Sequence, residues 1–521
     1  MMPHWETVRT SPLFGPLIGA AAGILLSLPL LCFDFWFDQG VFATIADTLL
    51  RGGIPYRDAW EHRPPGIFWV YEASFLLLAR DLWAVRTAEI LAIGLACAGL
   101  VRFGERHLGS RSAGLVAAVS LPLLYLPFAP NTAQPESFQI PLLVWALALW
   151  PRDPGAARAR ELCFSCGGLV ATAVLFKTPA AVFVFAMLSD RLACDLGPQT
   201  PEGRSKWRLT LCTLAGLAVP PLLLGAYAGL RGNFVPLWDA VVVFPAEYAR
   251  SCGPRPLLDH LRQSWNGFAG IVLIPELVLL ILGAAHGALA RPSELARSGI
   301  AALLAWGTVA VQARYFQYHW LPLLPFLAIL MAMAFCKPAA PLPPEARYRR
   351  WFRKGLVGVG VTMAVLASAT ELHRSGHLVS SLGEVTTIEA RVTLPVATPW
   401  GESRTVARRI QALSDPGDSI FVWGDAPLLY FLSDRRMAGP YPHLMTLIPE
   451  WRGAERVHLA MNMMAERSPR LVILGRGGLW WRHNQEPKKL LSDYPDMVRM
   501  LQDRYRKAEE VEGFEIWARL E

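Results

Sequence analysis

Charge is what this sequence has least of. Asp, Glu, Lys and Arg make up 18% of the 521 residues, where a soluble globular chain carries about 25%. Hydrophobic residues reach 53%, and the mean hydropathy is +0.31. That balance excludes a fully soluble protein and a disordered one. Lysine is scarcer still: of the 50 basic residues 7 are Lys and 43 Arg, a bias that points to a GC-rich genome more than to a chemistry. The 8 cysteines all precede residue 340, mostly within or beside apolar runs, and imply no disulfide framework. Cys163 and Cys166 form a CxxC, but with no second CxxC or His pair they read as packing residues rather than a metal site. No repeat with a period of 20–50 residues is visible. Arg476-Gly477-Gly478 lacks the Lys-Ser/Thr of a phosphate-cradling loop, so no soluble nucleotide is supported. The first apolar run is followed by Cys32-Phe33-Asp34 rather than a small-residue cleavage site, and reads as an anchoring span.

Long apolar runs are abundant. A span needs about 20 such residues, and candidate runs cover 13–33, 83–103, 112–128, 137–151, 162–189, 208–230, 266–289, 297–313, 318–336 and 354–370. Short basic loops favour the cytoplasm, and five of them alternate with these runs; the strongest carries Lys337, Arg347, Arg349, Arg350, Arg353 and Lys354. These loops account for the net charge of +8 and the pI near 9.1 without nucleic acid. Keeping all five on one side makes the short run 65–79 a half-inserted or interfacial helix. It also makes 162–189 a hairpin broken at Lys177-Thr178-Pro179. Eleven crossings result, with the N-terminus inside. After residue 371 the apolar runs shrink to strand length, as in Ser419–Trp423 and Leu471–Leu474. The expected fold is therefore a polytopic α-helical membrane domain over 1–371, with an outer loop at 34–64. A soluble, outward-facing C-terminal α/β domain follows over 372–521.

This topology gathers polar residues on the outer face. The loop 34–64 holds Asp34, Asp38, Tyr56, Arg57, Asp58, Glu61, His62 and Arg63. Later outer segments add Asn131, Glu136 and Lys177, then Asp239, Glu247, Arg250, Asp259, His260 and Arg262, then Arg314, Tyr318 and His319. For Asp34, Arg57, Asp58, Arg250 and Arg262 the ordinary reading is a solvated headgroup contact. Lys177 differs: it interrupts an apolar stretch of 25 residues, where an ionisable group suggests function. Glu136 follows Pro135 at a span entrance, where capping alone would also favour an acid.

The first outer loop carries a specific pattern. Asp38-Gln39-Gly40, then Gly53-Ile54-Pro55-Tyr56-Arg57-Asp58 and Arg63-Pro64-Pro65, resemble the GT-C superfamily of polyprenyl-phosphate-sugar glycosyltransferases. The similarity is greatest to the bacterial family 39 group, which includes protein mannosyltransferase-like enzymes and the aminoarabinose transferase of lipid A. Pro135-Glu136-Ser137, Phe176-Lys177-Thr178-Pro179, Tyr318-His319-Trp320 and Phe421-Val422-Trp423-Gly424 are similar to further family segments, in order along most of the chain. Gln39 stands where Glu or Asp is common, and Arg63 where Lys is frequent. The first change removes one possible metal ligand; the second keeps the charge and adds a bidentate fork.

The resemblance implies a bacterial inner-membrane enzyme whose site faces outward. It would move a sugar from a polyprenyl-phosphate donor to an envelope lipid, glycan or protein. An acceptor hydroxyl or amine would attack the anomeric carbon, with Asp38 as base and Glu136 either orienting the acceptor or holding a divalent ion. Arg63 and Lys177, with His319 and Tyr56 beside them, are expected to hold the donor phosphate. No cofactor is certain from the resemblance, and a divalent cation stays open. Two other classes fit many spans with charges on one face: a transporter or flippase of a lipid-linked or anionic substrate, and a non-catalytic assembly or receptor protein. A transporter would show inverted repeats and helices broken in both halves; neither is visible, and a C-terminal domain of about 150 residues is unusual for one.

Overall fold

A computed structural model describes residues 11–339 and 400–520, apart from 12, 152, 154, 197–202, 252–255, 448–452 and 476–486. The expected span at 354–370, the domain boundary at 371/372 and Arg476-Gly477-Gly478 fall outside the described residues. Contacts divide the chain into two compact units. One comprises Met1–Phe33, Val85–Leu224 and Pro254–Ser380; the other comprises Asp34–Ala84, Gly225–Gly253 and Ser381–Glu521.

The first unit is a helical membrane bundle. Among the described residues six helices are long and apolar enough to cross a membrane, and seven if one bent pair counts as a span. They are Phe14–Cys32, Leu82–His107, Arg111–Asn131, Trp207–Leu230, Pro292–Gln312 and Gln317–Phe335. The Leu82–His107 and Gln317–Phe335 spans are 78% and 89% buried, which makes them central staves. The first span meets Leu82–His107 through Gly15, Gly19 and Gly23. A side chain at Gly19 would come within 2.9 Å of the Cys97 carbonyl oxygen. Lipid offers no hydrophobic drive between helices, so close approach through small residues is what holds such pairs.

Three irregular stretches follow from local chemistry. The run 266–289 is not one straight span: Leu257–Ile271 and Ile274–Ala290 meet at a 102° bend. Val272 and Leu273 are extended, and Pro275 opens the second helix, where its missing N–H costs nothing. The run 162–189 breaks at Thr178–Ala180, between helices Ala159–Val174 and Ala181–Leu196. The run 65–79 forms Gly66–Leu77, in the second unit. Its 12 residues rise about 18 Å, short of the roughly 30 Å hydrocarbon core.

The second unit holds the loop 34–64, the helical segments between 234 and 251, and a five-stranded sheet. The strands are β1 (Ser419–Trp423), β2 (Arg436–Met437), β3 (Leu471–Leu474), β4 (Tyr505–Val511) and β5 (Phe514–Arg519). Their order is β2-β1-β3-β5-β4, parallel across the first three and antiparallel from β3 onward. All four residues of β3 and the last four of β1 are buried. That explains their unbroken apolar runs, since strands covered on both faces lose the alternation of half-exposed ones. Helices Trp400–Ala412, Gly453–Arg467 and Pro495–Arg504 accompany the sheet.

Candidate active site

In the second unit, Asp38 lies in the first turn of helix Phe37–Leu50, where the exposed N–H dipoles favour an anion. Gln39 closes that turn: its Oε1 accepts the Trp36 N–H at 3.0 Å. The loop after this helix returns to the same place. Tyr56 takes a left-handed φ of 66°, and its hydroxyl donates to the Arg63 carbonyl at 3.0 Å. The hydroxyl thereby fixes the loop. The Arg63 guanidinium lies over the Phe42 ring at 5.0 Å. It donates to Asp38 Oδ1 at 3.0 Å and to Glu61 Oε1 at 2.7 Å. Asp38 retains 15% of its side-chain exposure, whereas Glu61 has none.

Glu61 is the anchor of this cluster. His62 Nδ1 lies 2.7 Å from its Oε1, and His443 Nε2 lies 3.2 Å from its Oε2. Burial alone would push the Glu61 carboxyl up. The neighbouring His62 and Arg63 and the His443 hydrogen bond outweigh it and hold the carboxyl well below the usual carboxylate range. Burial pushes the His62 imidazole down, against the pull of Glu61. Glu61 is thus an ionised buried carboxylate, and Arg63 is the charge that faces it.

The sheet domain grips the same loop. Trp60 N–H donates to the Pro440 carbonyl at 2.7 Å, and Arg456 lies over the Trp60 ring at 4.6 Å. Arg51 binds both Asp47 and Asp434, and Arg80 binds Asp47 and the Phe431 carbonyl.

The first unit holds a separate cluster. Glu136 sits in the first turn of helix Pro135–Leu149, 1% exposed. Its Oε1 pairs with Lys177 Nζ, and its buried Oε2 has no hydrogen-bond partner among the described residues. Lys177 Nζ is 5.0 Å from the Tyr318 ring centroid. His319 packs edge-on against Tyr318 at 4.7 Å. Gln139 donates to the Ala173 and Lys177 carbonyls at 2.8 and 3.0 Å, tying the Lys177 turn to the Glu136 helix.

A buried ion pair on helix Leu82–His107 clamps the segment before Glu136. Arg86 donates to Glu89 Oε2 at 2.8 Å, to Thr132 at 2.9 Å and to the Phe33 carbonyl at 3.2 Å. Glu89 Oε1 accepts from the Ala133 N–H at 2.5 Å and from the Tyr125 hydroxyl at 2.6 Å. Ala133 is left-handed, with φ 58°, a conformation that persists only where its surroundings enforce it. Tyr125→Phe removes the hydroxyl that joins Glu89 to Ser137. It should lower stability by about 1–3 kcal/mol, read by thermal unfolding in detergent; an unchanged midpoint would contradict the clamp.

Of the residues expected from the sequence, Asp38, Tyr56 and Arg63 meet in one cluster. Glu136 and Lys177, with His319 packed on Tyr318, form the other. Glu61 was named in the loop 34–64 without a role, and His443, Arg86, Glu89 and Arg456 were not singled out. Arg86 and Glu89 had a visible signal, two ionisable residues inside the run 83–103. His443 had none, since its partner lies 382 residues away.

Among the described residues no group of three or more His, Cys, Asp or Glu could hold a metal ion. The Asp38–Gln39 pair is a poor donor set for a divalent cation. Arg63 already neutralises Asp38, and the Gln39 oxygen is spent on Trp36.

Residues 62–223 match the family Dolichyl-phosphate-mannose-protein mannosyltransferase. No curated protein matches the chain. The crystal structure of ArnT from Cupriavidus metallidurans bound to undecaprenyl phosphate shares the fold. Identity is 16% and the TM-score 0.60, over 96% of this chain and 97% of that one. Its apo form aligns with the same TM-score at 14% identity, over the same shares of the two chains. The Archaeoglobus fulgidus oligosaccharyltransferase tethered to an acceptor peptide aligns more loosely, at 11% identity and a TM-score of 0.44, over 88% of this chain and 68% of that one. Residues 62–223 are thus similar to that mannosyltransferase family, and the chain as a whole shares the fold of ArnT, with six or seven helices among the described residues long and apolar enough to cross a membrane.

Proposed function

We propose that the chain transfers a sugar from a polyprenyl-phosphate donor to an envelope lipid, glycan or protein, on the outer face of a bacterial cytoplasmic membrane. The observation that supports this best is the Asp38–Arg63–Glu61 constellation: a partly exposed carboxylate and a buried carboxylate share one guanidinium.

In the reaction, the acceptor oxygen or nitrogen attacks the anomeric carbon. The bond from that carbon to the phosphate oxygen breaks, and its electron pair leaves with the polyprenyl phosphate. Asp38 takes the acceptor proton. Protonation removes the charge facing one arm of the Arg63 fork, so that arm can turn to the new phosphate charge as it forms while Glu61 keeps the other. Lys177 is a second candidate cation for a donor phosphate. Glu136 Oε2 is a buried acceptor suited to an acceptor O–H or N–H. Tyr56 holds the loop, and His319 lines the Tyr318 face.

Incubation of the purified chain with a polyprenyl-phosphate sugar and envelope acceptors tests this reading by mass spectrometry. Free polyprenyl phosphate should accumulate only when an acceptor is present. Intact donor moved across a vesicle membrane, with none cleaved, would favour the transporter instead. The outward orientation has its own check. A single cysteine at position 177, in a cysteine-free background, should label with an impermeant reagent from the outside; labelling only from the cytoplasmic side would overturn it.

A further inference from the structure

A buried carboxylate in an outer loop, hydrogen-bonded by a histidine from a sheet domain nearly four hundred residues on, is not needed to hold the fold together. Trp60, Arg51, Arg80 and Thr44 already tie the loop and its flanking helices to that domain. Thr44 donates to the Pro427 carbonyl at 2.8 Å, and the other contacts are those described above. His443 does something these ties do not: it contacts both arms of the candidate base's support. Its Nε2 faces Glu61 Oε2 at 3.2 Å, and its ring meets Phe37, the residue before Asp38, edge-on at 5.2 Å. The side chain is 2% exposed, so water does not substitute for it.

We propose that the C-terminal sheet domain completes the active site, and that His443 is a positioning residue for the Asp38–Arg63 pair, acting through Glu61. The geometry has one path. With hydrogen on Nε2, His443 donates to Oε2 and fixes the rotation of the Glu61 carboxylate. Oε1 is thereby aimed at Arg63, at 2.7 Å. The second arm of the same guanidinium then reaches Asp38 at 3.0 Å. A planar fork held on one arm has little freedom on the other. If Glu61 turns, Arg63 leaves Asp38, and misplacement on the scale of an ångström is costly in catalysis. This role rests on the transferase reading above. It gives the domain a task beyond packing: without it the outer loop would carry Asp38 and Arg63 without their register.

The test uses the full chain in proteoliposomes. His443→Phe keeps a ring against Phe37 and removes the donor. His443→Gln places an amide N–H where Nε2 stood. The Phe variant should lose at least about tenfold in kcat with donor KM changed by less than about threefold, and the Gln variant should recover to within about threefold of the wild type. Because the effect passes through Arg63, adding His443→Phe to Arg63→Met should cost nothing further. Wild-type turnover in the Phe variant, no rescue by Gln, or additive losses would each overturn the proposal. If the wild-type chain transfers nothing, the transferase reading fails, and thermal unfolding of the same cycle then decides the linkage. Non-additive midpoint shifts for His443→Phe and Arg63→Met would uphold the chain of contacts; additive shifts would overturn it.

Discussion

Asp38→Asn should lower sugar transfer by about 10²–10⁴-fold, the range for a positioned acid–base group. The substitution keeps the size of the side chain and an oxygen for Arg63, so the first turn of Phe37–Leu50 and the guanidinium contact survive. What goes is the proposed proton acceptor, and with it the change of charge facing one arm of the Arg63 fork. Binding of a polyprenyl-phosphate analogue should change far less, because the donor's phosphate carries its charge before the chemistry begins. The measurement is a pair: initial rates with saturating donor, and analogue affinity by titration. Wild-type-like rates in the variant would remove Asp38 from the mechanism. An equal fall in rate and in affinity would make it a donor-binding residue.

Lys177→Met should be nearly as damaging, for a reason that lies in its partner. Glu136 is 1% exposed, and Lys177 is the cation on its Oε1. Removing one member of a buried pair leaves the other charge uncompensated, at a cost of about 3–5 kcal/mol. The single variant should unfold at lower temperature and transfer at least about a hundredfold more slowly, as for a lost contact that stabilises transition-state charge. The double variant Lys177→Met, Glu136→Gln separates these effects. It carries no buried charge, so stability should return toward the wild type while transfer stays low. Recovery of transfer together with stability would mean that the pair is structural. A Lys177→Met protein as stable and as active as the wild type would mean that the amine merely reaches toward the headgroups.

These clusters show how far the sequence carries. The strands Ser419–Trp423 and Leu471–Leu474 were legible residue for residue, because a doubly covered strand is a short apolar run with polar ends. The break at Lys177-Thr178-Pro179 was legible from the amine and the proline. The bend in 266–289 was not: hydropathy reports burial in lipid and is blind to the direction of the chain, and Pro275 at a helix start looks the same in a straight span. The paired state of Arg63 was also hidden. Its charge pointed to an anion, yet which anion depends on Glu61 being sealed from water, and that requires His443 and the 438–443 segment from the far end of the chain. Likewise Arg86 and Glu89 are each a costly charge when read alone, and become a clamp only when Ala133 and Tyr125 supply the remaining hydrogen bonds.

The most direct measurement is transfer itself, with the donor class as the variable. The purified full chain would be reconstituted in proteoliposomes with envelope acceptors and offered the same radiolabelled sugar in two forms, on polyprenyl phosphate and on a soluble nucleotide. The account predicts that label reaches the acceptor only from the lipid-linked donor, and that Asp38→Asn abolishes nearly all of it. Label arriving from the nucleotide sugar, or from neither donor while intact lipid-linked sugar crosses the bilayer, would contradict it.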